Sequence, residues 1–206
     1  MSFADLTSLK TALAGDWMHR ADLTTAIGDF VALFESDFNA SVRVRQMETE
    51  TTITSTTGFL VHPTNWLGWK QISGTINGTR YDLQPVTDET ADSRGQSDIP
   101  GDQAARYKVK GTKTYIFPAT DAAFPTTYYQ GVGLSSGTNW LLTAYPGAYL
   151  YGALLQATAS IGDDARVPLW SAAFEKILER IRSDSRRSEN SGQVLKMSPD
   201  MGRWVP

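Results

Sequence analysis

Leu6, Leu9, Leu13 and Trp17 recur at spacings of three and four residues, which places them on one face of a helix from about Asp5 to about Met18. Gly15 softens its end. Ile27, Phe30, Val31, Phe34 and Phe38 repeat the pattern, with Asp22, Thr24 and Thr25 available as N-caps and Gly28 blurring the start. From about Val42 to Leu134 the period falls to two. In VRVRQMETETTIT, Val42 and Val44 alternate with Arg43 and Arg45, and the Thr-rich continuation predicts a half-exposed strand. Asn77-Gly78 in ISGTINGTRYDL predicts a two-residue hairpin turn, YKVKGTKTYIF a second hairpin near Gly111, and FPTTYYQGVGL a last strand. The polar, acidic stretch from Thr87 to Gln103 is rich in turn formers and predicts a long surface loop.

Helical periodicity returns after Thr138. Within TNWLLTAYPGAYLYGALL, Pro146 suits a first turn, and Leu150, Leu154, Ala157 and Ile161 continue one apolar line until Gly162. Asp163 or Asp164 then caps a further helix with Pro168 early and Trp170, Phe174, Ile177 and Ile181 as its buried stripe. The short joint predicts that these two helices pack antiparallel. Past Ile181 the chain is polar and nearly aperiodic, yet it closes on Trp204 and Val205.

Composition narrows the class. At 206 residues, 41% hydrophobic and 20% charged, the chain suits one globular domain, and its 17 Gly and 9 Pro ask for more turn and strand than a plain bundle. The absence of cysteine rules out disulfides, thiolate metal sites and a cysteine nucleophile. MSFADLTSLK lacks the basic and apolar regions of a signal peptide, and no apolar run reaches the length of a spanning helix, so no membrane role is expected. Between Arg182 and Pro206 five basic residues face three acidic ones; with a total of -3, the preceding 181 residues carry -5. Asp88, Glu89, Asp92, Asp98 and Asp102 concentrate that charge against Arg94 alone. A mildly basic tail on an acidic body suits protein contact better than a nucleic-acid footprint.

Candidate chemistry is sparse. His19 and His62 are too few and too separated for a metal cluster or a hydrolase triad. Gly131-Val132-Gly133 opens no phosphate-cradling loop, and Gly133, Ser135 and Gly137 match nucleophile-elbow spacing where a turn after a strand is the simpler reading. Asp82, Asp88, Glu89 and Asp92 could pair as glycosidase carboxylates, but a solvated acidic loop explains them. Trp66 and Trp69 could bind sugar or cover one end of a sheet. No enzyme, cofactor or metal is expected.

The blocks LKTALAGDWMHRADLTTAIGDFVALFESDFNASVRVRQMETETTIT and GLSSGTNWLLTAYPGAYLYGALLQATASIGDDARVPLWSAAFEKILERI, separated by a strand-rich insert, resemble the head-to-tail adaptor proteins of tailed bacteriophages. The resemblance spans roughly nine tenths of the chain, concentrated at Arg43 to Glu48, Asn139 to Leu142 and Tyr149 to Leu155. It implies an α+β fold, mainly an antiparallel helical bundle, with N-terminal helices over 1–41, a β-rich insertion subdomain over 42–137, a C-terminal helical hairpin over 138–181 and an extended arm over 182–206. It further implies a ring, usually of twelve copies, at the virion neck, assembled in the host cytoplasm. Portal protein would lie on one side and a tail nozzle or tail-tube protein on the other, with genomic DNA passing through without sequence-specific binding. On this reading Arg186, Arg187, Val194, Leu195, Met197, Arg203, Trp204 and Val205 dock the arm on the portal or a neighbouring subunit. The alternative is a carbohydrate-binding or peptidoglycan-degrading tail component.

Overall fold

The computed structural model describes residues 3–23, 25–76, 79–86, 106–117, 119–134, 137–161 and 164–191. Asp5 starts helix α1 (Leu6–Ala12) by a reciprocal cap: its carboxylate accepts the Ser8 N–H at 2.8 Å, and its own N–H donates to Ser8 Oγ at 3.0 Å. The coil then widens into a π-turn over Leu13–Trp17. Leu9 and Leu13 are fully buried, and Trp17 meets Tyr151 edge-on at 5.8 Å. Helix α2 (Ala26–Ser41) buries Ile27, Phe30, Val31, Phe34 and Phe38, the face its period dictates; Thr25 holds the N-cap position without a side-chain bond.

Val42 and Val44 turn inward as their alternation requires, but a 3-10 turn at Arg45–Met47 delays strand β1 to Glu48–Thr54. Strands β2 (Phe59–Val61), β3 (Trp66–Ile76), β4 (Thr79–Asp82), β5 (Gln84–Pro85), β6 (Arg106–Lys110), β7 (Lys113–Phe117) and β8 (Ala123–Gln130) follow. They form two four-stranded sheets, ordered β1-β8-β3-β4 and β2-β7-β6-β5. All named neighbours run antiparallel except β5 and β6. Ile76 opposite Thr79 leaves a two-residue joint at 77 and 78, which lies outside the described residues. Lys110 opposite Lys113 makes the second expected hairpin, where Gly111 supplies φ +60°. Leu60, Ile72, Leu83, Ile116 and Phe124 form a separate core for this β region.

The apolar run at 138–155 becomes two helices. Asn139 caps α3 (Trp140–Ala144) by accepting the Leu142 N–H at 2.9 Å; the chain breaks at Tyr145, and α4 (Pro146–Ile161) starts at a proline that has no N–H to lose. Leu150, Leu154 and Ala157 are buried. Helix α5 (Val167–Asn190) returns along α4, so that a Cβ on Gly147 near the start of α4 would stand 2.8 Å from Ile177 Cδ1. Antiparallel packing follows, as the short joint requires. Gly162 and Asp163 lie outside the described residues, and the Asp164 carboxylate accepts the Arg166 N–H at 2.8 Å.

A mainly helical bundle is not what forms. Among the described residues there are five α-helices and eight strands in two antiparallel-rich sheets, so the fold is α+β with the strands as a full partner. The reason is burial: the period-two segment closes a core of its own, while the helices share another with Val132 and Leu134. Residues 182–190, expected in the extended arm, are helical, and 192–206 lie outside the described residues. Helix α5 runs to Asn190 because Ile181 and Ser185 remain buried and Asp184 lies near Arg180 and Arg187, at 3.8 and 3.9 Å.

Candidate interaction surface

The structure disperses the residues that could do chemistry. The His62 ring stacks on Trp66 at 3.8 Å, and Thr114 Oγ1 joins His62 Nε2 at 2.8 Å to Trp69 Nε1 at 2.7 Å. Burial depresses the His62 pKa, which favours the neutral ring. Trp66 and Trp69 thereby spend their contacts on each other, His62 and Tyr128, as a packed wedge beside the β core rather than an open sugar platform. Asp82 accepts from Gln71 and Ser73 at 2.9 and 2.8 Å, bonds that hold its carboxyl below the usual range. Asp88, Glu89, Asp92, Ser135 and the whole acidic stretch from Thr87 to Gln103 lie outside the described residues. Among the described residues, no group of three His, Asp or Glu is placed to hold a metal, and no helix is long and apolar enough to cross a membrane.

Half-buried polar groups instead join elements around the buried Tyr149. Tyr149 donates to Glu35 Oε1 at 2.8 Å and accepts from Asn139 Nδ2 at 2.6 Å, linking α4, α2 and the start of α3. Burial raises both the Glu35 carboxyl and the Tyr149 phenol above their ordinary values. Asn39 pairs both ways with Val132: its Nδ2 donates to the Val132 carbonyl at 2.9 Å, and its Oδ1 accepts the Val132 N–H at 2.8 Å. These bonds fasten the chain leaving β8 to the helical layer.

The end of α5 forms a distinct surface. Ser41, Val42, Arg43, Val44, Arg182, Ser185, Arg186 and Glu189 line a groove of about 430 Å³, with three arginines against one glutamate. Arg45 fixes one wall: its N–H donates to Ser185 Oγ at 3.0 Å, and its Nη1 donates to the Ser188 carbonyl at 2.6 Å. Of the residues expected to meet a partner, Arg186 lines this groove, and Arg187 lies one position on, near Asp184. Val194, Leu195, Met197, Arg203, Trp204 and Val205 lie outside the described residues. Arg43 and Arg182 belong to the groove without having been singled out; the VRVR alternation was the available signal for Arg43, since it puts that side chain opposite two buried valines.

The adaptor resemblance is matched by an independent comparison, in which residues 1–196 fit the SU10 adaptor protein family. No curated protein matches the chain. The matched span takes in every described element, from the Asp5 cap to the end of α5. The chain belongs to the SU10 adaptor protein family, a structural family of the phage head–tail junction.

Proposed function

We propose that the chain forms a ring of twelve copies between the portal and the tail nozzle or tail tube, with its C-terminal arm docked on the portal or a neighbouring subunit. The family match over residues 1–196 carries this reading. The groove at the end of α5 supports it, because the arm leaves α5 beside Arg43, Arg182 and Arg186, where an acidic partner surface would find its counter-charges. Genomic DNA passes through the ring without sequence-specific contact, and assembly takes place in the host cytoplasm.

Truncation after Ser191 tests the arm, since it spares α5 entirely. The truncated protein should keep its circular dichroism spectrum and melting temperature yet fail to attach to portal-bearing heads. Trp204→Ala should weaken attachment by about 2 kcal/mol or more, the scale of a buried aromatic anchor. Unchanged attachment by the truncated protein would show that the contacts come from the body. Light scattering with and without portal tests the ring, and a monomer in both conditions would sink it.

A further inference from the structure

The β2-β7-β6 sheet has two chemically opposite faces. Leu60, Thr114 and Ile116 point inward and are buried. On the outer face, Phe59 stands opposite Tyr115, Val61 opposite Lys113, Lys113 opposite Lys110, Tyr115 opposite Lys108, and Phe117 opposite Arg106. Four basic residues therefore share one face with four apolar or aromatic ones, and none of the strands β2, β5, β6 and β7 contains an acidic residue. Val61 is 60% exposed, and Tyr115 is exposed as well. Lys110 directly opposite Lys113 is a like-charge cross-strand pair, an arrangement that costs stability until an anion approaches it.

The Phe59 ring on this face is already covered by a cation. Lys113 Nζ sits 4.0 Å from the centre of the Phe59 ring, whose flank meets Tyr115 at 6.2 Å. That arrangement disfavours nucleobases and suits a protein surface mixing carboxylates with apolar side chains. The chain itself presents such a surface. Helix α2 holds Asp29, Glu35 and Asp37 with no lysine or arginine, and Leu33 on its outer side is 53% exposed. Asp37 spends one oxygen on Gln156 Nε2 at 2.7 Å, and Lys10 Nζ lies beside Gly28 in the first turn, 2.9 Å from where a Cβ there would stand.

We infer that the outer face of the β2-β7-β6 sheet docks on the Asp29–Leu33–Asp37 side of α2 in a second copy of this chain. The two patches differ, so the contact is head-to-tail and propagates around a ring rather than closing a two-fold dimer. Lys110 and Lys113 pair with the aspartates while Val61 and Tyr115 cover Leu33. The inference rests on the ring reading and adds to it the pair of surfaces that meet.

Charge exchange in the full-length protein tests it. Lys110→Glu with Lys113→Glu, and separately Asp29→Lys with Asp37→Lys, should each weaken ring assembly at least about tenfold, by sedimentation velocity alone and on portal-bearing heads. Mixing the two variants should restore assembly, because every interface in an alternating ring then joins opposite charges; combining all four changes in one chain should restore it too. Circular dichroism confirms folding, and Arg106→Glu with Lys110→Glu serves as a second face variant that leaves the Lys113–Phe59 contact in place. Rings unaffected by either reversal, or reversals that no mixture rescues, overturn the inference and leave the ring reading standing. Wild-type protein that forms no ring even on heads overturns the ring reading itself. If the lysine variant loses affinity for a single-stranded or duplex oligonucleotide and assembles normally, the face serves nucleic acid and the inference fails.

Discussion

Gly152 occupies a position with no room for a methyl group. A Cβ there would lie 2.2 Å from Phe34 Cδ2, and the Phe34 ring is held by Phe38, Tyr149 and Phe174 at 5.8, 5.1 and 5.9 Å. Gly152→Ala should therefore cost about 1–3 kcal/mol in urea unfolding despite alanine's better helix propensity. YLYGALL reads as helix core from sequence, but the need for glycine depends on a phenylalanine from a distant helix and is invisible locally. His62 is a second case of context. Its pKa lies below the ordinary 6.5 because burial disfavours the cation, so the unfolded chain binds more protons than the native one just below that value. The stability this neutral ring permits is present above about pH 6.5 and is lost as pH falls from there through the native value. Thermal melts between pH 8 and 5 should show a decline that His62→Gln reduces; equal slopes in both proteins would remove His62 as its cause.

At the scale of elements, periodicity was a sound guide wherever one face is buried. The α2 stripe, the Gly111 hairpin and the inward Val42 and Val44 all follow from spacing alone. The break at Tyr145 and the extension of α5 to Asn190 did not, because the polar sequence after Ile181 hides how that last stretch is held. Ser185 is buried there as the partner of the Arg45 N–H, and Arg45 binds the Ser188 carbonyl, contacts separated by about 140 positions in the chain. Arg45→Ala should consequently fray the end of α5. Amide exchange at residues 185–190 should accelerate by tenfold or more, matching loss of a charge-assisted hydrogen bond of about 1.5–3 kcal/mol, while α2 keeps its protection. Uniform acceleration across the chain would mean that Arg45 supports the whole fold instead.

For the whole molecule, the mixed composition announces strands, but the strong helical stripes conceal that those strands form a partner of equal standing. Two separate cores cannot be counted from alternation, since Ile72 and Phe124 read the same whether a strand pads a bundle or closes its own layer. The groove's arginines were half legible: Arg43 follows from VRVR, whereas Arg182 meets it only through the antiparallel return of α5. A net charge of -3, with the described basic clusters confined to one sheet face and the end of α5, predicts weak duplex affinity. Fluorescence anisotropy at physiological salt should give a dissociation constant weaker than about 1 μM, and tighter binding would count against the proposed passage of DNA through the ring without gripping contact. Helix α5 gives the molecule one further property. It is 24 residues long, about 36 Å at 1.5 Å per residue, and it is pinned at both ends, by Arg166 to the Trp17 carbonyl at 3.3 Å and by the Ser188 carbonyl to Arg45. A rod fixed at both ends is a ruler: it sets the distance from the turn that follows α1 to the last turn of α5, so on the proposed docking the height at which each subunit reaches its neighbour is written in the number of helical turns.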